Sequence, residues 1–324
     1  PDVIISDYNM PKDEVHQDGL KFIDYLLRTF PEVKLLVLTM IVYLISKLFV
    51  EKRTFVTITG KATRERTMIE EKHITIPLTV ICCIFAVIVG VIYVMIPVVS
   101  FVKLWGINYS LTFANYIEAW KIGKQALMDT VKLAVVTTPI TGVIAMLMAF
   151  LIVRKKNPLN KTMEAVGMFG MIVPGTILGY AYVLLFNSAP LYLTGTFLIL
   201  VASCCSRYLP VGLQSGITSL RQIDPSIEEA ASDLGANSLQ VFTKITLPLI
   251  KSSFFGGLVY TFVRTMTAMS ALVFLVSARH KLLTISILDQ VDRGRYGTAS
   301  AMSTMLIVVV YIAILIIYRL LGLL

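Results

Sequence analysis

The stretch Asp224-Pro225-Ser226-Ile227-Glu228-Glu229-Ala230-Ala231-Ser232-Asp233-Leu234-Gly235 runs on through Leu239, Phe242 and Ile245 to Leu247-Pro248, a polar interval between two long apolar runs. Asp224 is placed to cap a helix whose first turn holds Pro225, where a missing N–H needs no partner, and Glu228 and Glu229 face the positive end of that helix. Ile227, Ala230, Ala231 and Leu234 follow at i, i+3, i+4 and i+7. They give one apolar stripe whose centre is two small alanines, open to close approach by another protein surface. Gly235 stops the helix, because glycine enters the left-handed conformation without steric cost. A second short helix through Leu239, Phe242 and Ile245 is expected to end at Pro248. The expectation is a helix, a tight turn and a helix lying outside the membrane.

Outward from this loop the chain is strongly apolar. Of 324 residues 56% are hydrophobic and only 15% charged, which excludes an ordinary soluble globule. Membrane spans need about 20 mostly apolar residues, and six candidates stand out, at roughly 77–102, 127–153, 163–186, 191–212, 252–278 and 299–321. An all-α integral membrane bundle follows, since lipid offers no partner to unpaired backbone groups.

The net charge of +9 does not point to nucleic acid, because the basic residues lie beside the spans rather than in an aromatic-interleaved patch. Lys47, Lys52, Arg53, Lys61, Arg64, Arg66 and Lys72 precede the first span, and Arg154, Lys155, Lys156 and Lys161 fill the short loop after the second. The positive-inside rule puts both groups in the cytoplasm. Alternation then brings the 213–250 loop and Arg319 to the same side, with 103–126 and 279–298 outside.

Chemistry within the chain is sparse. Cys82-Cys83 and Cys204-Cys205 are adjacent pairs inside spans and the three histidines are scattered, so no metal-ligand spacing exists. Thr59-Gly60-Lys61-Ala62-Thr63 is similar to the end of a phosphate loop, but Phe55 replaces the earlier glycine and Ala62 stands where the Mg²⁺ ligand belongs. No nucleophile, paired carboxylate or triad is found in an accessible setting, and no catalytic residue is assigned. Arg264, inside the fifth span, suits either a structural polar contact or a place along a pathway. Tyr180 and Ser270 are further pathway candidates, whereas Gly175 and Gly179 read first as close helix packing.

Glu229-Ala230-Ala231, Gly235, Ile245 and Leu247-Pro248, with the intervening spacings, resemble the signature of binding-protein-dependent ABC importer permeases. The resemblance implies a six-span type I permease domain at 77–324, with this loop docking an ATPase dimer. It also implies an external substrate-binding protein, a second six-span half and a bacterial cytoplasmic (inner) membrane location with both termini inside. ATP and Mg²⁺ would belong to the ATPase, leaving this chain no cofactor. Arg53-Thr54-Phe55-Val56-Thr57-Ile58-Thr59-Gly60-Lys61 resembles the connector between the halves of fused ferric-iron permeases, a group related to those for aminoethylphosphonate, polyamines and thiamine. Phe113-Ala114-Asn115-Tyr116 and Phe262-Val263-Arg264-Thr265-Met266 extend that similarity. Residues 41–76 are then a truncated membrane helix and connector. Ferric iron is the substrate the resemblance implies.

Residues 1–40 are of another kind. Val3 to Ser6 reads as a buried strand ending in Asp7, followed by an amphipathic helix through Leu20, Ile23, Leu26, Leu27 and Phe30 and a second strand, Leu35 to Thr39. This resembles part of a response-regulator receiver domain, with Asp7 at the phosphoacceptor position. The acidic pair that would hold Mg²⁺ is missing, so Asp7 is expected to be inactive. A receiver-regulated membrane signalling protein and a secondary transporter needing no ATPase are the two competing classes; the incomplete receiver and the loop spacing disfavour them respectively.

Overall fold

A computed structural model describes residues 72–155 and 157–320. The receiver-like segment with Asp7 and most of the 41–76 connector lie outside the described residues. The helix bundle, apart from Ile172–Pro174, clusters as one compact unit.

The bundle opens with α1 (Lys72–Phe101), then a small antiparallel hairpin, β1 (Val102–Leu104) and β2 (Asn108–Leu111), then α2 (Ala114–Arg154). α3 (Asn160–Ile172) and α4 (Gly175–Phe186) follow, then α5 (Phe197–Gln222), the short α6 (Pro225–Asp233) and α7 (Ser238–Val241), and α8 (Leu247–Met266). α9 (Leu283–Asp292) and α10 (Tyr296–Leu320) close it. Among the described residues four helices are long and apolar enough to cross a membrane, or six if each of two bent pairs is one span.

The expected spans differ from these elements in three informative ways. The second was expected at 127–153, yet α2 has 41 residues and starts at Ala114, long enough to reach about 60 Å. Its first turns carry Glu118, Lys121 and Lys124, so hydropathy hides them although they are helical. The third, 163–186, is two helices bent by 109°. Pro174 explains the break, since it lacks an N–H and drives its predecessor out of the helical region. The fifth, 252–278, is helical only to Met266. There Thr261, Thr265 and Thr267 hydroxyls bond the carbonyls of Gly257, Thr261 and Val263, back-bonding that weakens helices; an irregular run with one 3₁₀ turn, Leu272–Phe274, follows.

Small residues set how closely the helices approach. Gly212 and Gly216 on α5 face Ala145 and Ala149 on α2, and a methyl group on either glycine would press on those alanines. This is the small-xxx-small seam by which membrane helices pack without a hydrophobic driving force between them. A Cβ on Gly170 would run into the Ser206 carbonyl, one on Gly179 into that of Ala271, and one on Gly175 into the Ser270 hydroxyl. Close packing therefore accounts for Gly175 and Gly179.

Two buried clusters fill the bundle, one joining α2, α8, α9 and α10 around Ala126, Met266, Leu283 and Met302. The other joins α2 and α5 to the irregular run after α8, around Leu133, Leu200, Cys204 and Leu272. By contrast α1 is exposed along most of its length, with Ile84, Phe85 and Val87 all outward, as suits a face against lipid or another apolar surface. The Phe113–Tyr116 motif ties α1, the hairpin and α2 together. Asn115 Nδ2 donates to the carbonyls of Ser100 (3.0 Å) and Val102 (2.8 Å), and the Tyr116 hydroxyl meets that of Ser100 at 2.8 Å.

Candidate coupling loop and intramembrane cavity

The polar loop between α5 and α8 begins at Ile223, because α5 runs on to Gln222 where the sequence suggested a loop from 213. Asp224 caps α6 as expected: its carboxylate accepts the Ser226 amide at 3.0 Å and Pro225 occupies the first turn. That backbone bond, with a smaller side-chain contribution from the same residue, holds the Asp224 carboxyl below its ordinary range.

Gly235 ends α6 at φ +88°. Its amide bonds the Ser232 carbonyl (2.9 Å) and the Ala236 amide bonds that of Ala231 (3.1 Å), the paired pattern of a Schellman turn. Immediately after it, Asn237 and Gln240 exchange side-chain bonds with each other's amides, both at 2.9 Å. This reciprocal capping box starts α7. The turn is thus defined from both sides, and its glycine touches nothing within 4 Å of a would-be Cβ.

The second helix does not stop at Pro248. α7 widens into a π turn, Phe242–Thr246, and passes directly into α8, with Pro248 in its first turn. Proline is tolerated there for the same reason as Pro225. The loop is therefore continuous with a membrane helix on its C-terminal side. Ile245 and Leu247 are half-buried at that junction and Pro248 is exposed.

Outward, α6 presents Glu229 and Ala230, with Ala231 half-buried beside them. Ile227 is 45% exposed, Leu234 90% and Leu239 71%. An apolar strip at the tip of a helical hairpin, unburied within its own chain, is the kind of surface that meets a partner.

Inward, the loop is pinned to α2 by a contact the sequence did not reveal. Arg154, in the last turn of α2, sets Nε 3.0 Å from Glu228 Oε2, and its Nη2 donates to the Ile223 carbonyl at 3.2 Å. The buried Thr246 hydroxyl donates to Glu228 Oε1 at 2.9 Å. Phe150 of α2 stacks edge-on with Phe242 of the π turn, centroids 5.1 Å apart. One carboxylate therefore ties the end of a span, the first loop helix and the foot of α8. In sequence Arg154 reads only as a topological charge and Glu228 only as a helix-dipole partner; nothing in their spacing joins residues so far apart.

Deeper in the bundle a cavity of about 380 Å³ lies between the end of α3, the middle of α5 and the end of α8. Arg264 and Ser270, both candidates for a place along a pathway, line it together with Arg207, Tyr208, Tyr260 and Thr267. Tyr180 is not among its lining residues; it stands 54% exposed on α4. Arg207 Nη1 donates to the Gly170 carbonyl at 2.6 Å. Arg264 stacks on the Tyr260 ring at 5.3 Å and donates to that residue's hydroxyl at 3.1 Å. Among the described residues no group of three or more His, Cys, Asp or Glu is placed to hold a metal ion.

Comparison with known proteins agrees with this architecture. The chain is 34% identical over 298 residues to the ferric transport system permease protein FbpB of Actinobacillus pleuropneumoniae, covering 90% of this chain and 43% of that protein. It is 35% identical over 263 residues to the putative ferric transport system permease protein FbpB 1 of Haemophilus influenzae, covering 79% and 41%. The chain thus spans less than half the length of either relative. Among solved structures it is similar to a chain of a bacterial ABC transporter involved in import of the acidic polysaccharide alginate. That match has a TM-score of 0.63 at 16% identity and covers 78% of this chain and 97% of that one. Residues 141–324 match the family described as binding-protein-dependent transport system inner membrane component, and the chain belongs to that family.

Proposed function

We propose that this chain is one six-span half of the pore of an ATP-driven importer, receiving substrate from an external binding protein and releasing it in the cytoplasm. The observation that carries the reading is the 223–246 loop: a hairpin with an exposed apolar strip, fixed by paired caps and bonded through Glu228 to α2 and α8. A load applied to such a hairpin moves both helices rather than bending the loop, which is what conversion of ATPase closure into helix movement requires. Glu229, Ala230, Ala231 and Gly235 form the docking surface, and Ile245, Leu247 and Pro248 join it to α8.

The partners in this reading are an ATPase dimer beneath the loop, a binding protein on the opposite side, and a second six-span half against the exposed faces of the bundle. ATP and Mg²⁺ bind on the ATPase, and this chain carries no catalytic residue. Both chain ends and the loop lie on the cytoplasmic side of a bacterial inner membrane. Ferric iron is the proposed cargo, supported by the names of the two FbpB relatives.

Glu229→Lys reverses a charge on the exposed side of α6 without touching the Glu228 clamp. Co-purification of the ATPase with this variant is expected to fall by at least about tenfold, the equivalent of about 1.4 kcal/mol, with membrane insertion unchanged. Undiminished co-purification would remove the docking role.

A further inference from the structure

The cavity at the end of α8 has a charge that the proposed transport role does not by itself explain. Arg207, in the middle of α5, and Arg264, near the end of α8, are brought to one place although they are far apart in sequence. Both line the same cavity of about 380 Å³, a volume suited to a small molecule. Its lining also includes Tyr208, Tyr260, Thr267 and Ser270 and, among the described residues, no Asp or Glu. Arg264 is exposed and, among the described residues, has no carboxylate partner.

An arginine at membrane depth costs several kcal/mol unless it meets water, a counter-charge or a ligand. The backbone beside it is also irregular: α3 ends at Ile172 and α8 unwinds after Met266. Non-helical backbone in a membrane is tolerated where it is packed in protein or lines an aqueous cavity, and broken helices are where transporters place their substrate sites. Such a cavity repels a bare cation and attracts an anion. Guanidinium groups bind oxyanions through paired, charge-assisted bonds, and hydroxyls satisfy the remaining oxygens.

We infer that this cavity is a binding site for an oxyanion, with Arg264 and Arg207 as its charged ligands. The inference rests on the proposed transport role and narrows it: the cargo crosses this half as an anionic species. A ferric ion passes only inside a shell of carboxylate or phosphate oxygens, never as the naked trivalent ion. Two sources share that chemistry, a free oxyanionic solute and the anionic ligands of a metal complex.

The test titrates the full chain in lipid nanodiscs with inorganic phosphate, with citrate and with ferric citrate, comparing the native protein with Arg264→Gln and Arg264→Lys. Saturable binding of at least one probe is expected, weakened about tenfold or more in Arg264→Gln and by a smaller factor in Arg264→Lys, which keeps the charge but not the paired donors. Equal binding of citrate with and without iron, or binding of phosphate, identifies a free oxyanion; binding of ferric citrate alone identifies the complex. No saturable binding of any probe, or equal binding by the native protein and Arg264→Gln, overturns the inference. So does loss of the second permease half from Arg264→Gln with binding intact, because the guanidinium would then belong to an interface. Because Arg264→Gln also risks misfolding, Thr267→Val provides a second, uncharged variant, expected to weaken binding by a smaller factor. ATPase co-purification is read in parallel. A native chain that retains the ATPase but binds no probe refutes only the cavity, whereas one that retains none refutes the transport reading itself.

Discussion

Gly235→Val is expected to reduce ATP-driven uptake by about tenfold or more while leaving the protein folded and inserted. The backbone at this position sits at φ +88°, where an L-residue costs about 1–2 kcal/mol and a β-branched one more. Nothing lies within 4 Å of a Cβ there, so the cost is conformational and no packing is disturbed. At about 2 kcal/mol the balance between the intact Schellman turn and an unwound end shifts by about thirtyfold. The exposed strip of Ile227 and Leu234 then loses its fixed relation to α7 and α8. Gly235→Asn, which tolerates the left-handed region, should keep most activity, and Gly235→Ala should fall between. Uptake into proteoliposomes, normalised to inserted protein, gives the order; a valine variant as active as the native chain would show that the turn geometry does not transmit anything.

The second large effect is expected at the Arg154–Glu228 clamp. The two side chains are only 11% and 15% exposed, so removing one leaves the other charged and poorly hydrated. For buried pairs that loss is about 3–5 kcal/mol, and here the lower end applies because some water reaches both. Either Arg154→Ala or Glu228→Ala should lower the melting temperature in detergent and weaken transport severalfold. The double variant Arg154→Ala/Glu228→Ala should be little worse than either single one, because the stranded charge has gone. Thr246→Val, which removes only the hydroxyl donated to Glu228, should give a smaller effect in the same direction. Additive losses in the double variant would mean that the two residues act separately.

The contrast between these two sites shows what the sequence carries. Asp224, Pro225 and Gly235 act through local rules of capping and backbone conformation, and each sits where those rules place it. The six apolar runs are equally legible, because lipid demands long apolar segments. Their interruptions are not: hydropathy averages across Pro174 and across the threonines before Thr267, so a broken helix and a straight one look alike. The early start of α2 is lost for the opposite reason, its charged first turns being polar on average yet helical. Glu228 meeting Arg154, and Arg207 sharing a cavity with Arg264, depend on helix packing that brings distant residues together. Arg264 is singled out by the cost of placing its charge within a span, and Arg207, inside the expected 191–212 span, carries the same signal.

The central claim is that the 223–246 loop is the surface on which an ATPase docks, and its most direct measurement is photo-crosslinking in the assembled complex. A photo-reactive amino acid at Ala230, on the exposed side of α6, should crosslink to the ATPase. The same group at Ile107, 79% exposed on the hairpin at the opposite end of α2, should not. Crosslinking from Ile107, or none from Ala230 in a complex that hydrolyses ATP, would contradict the account.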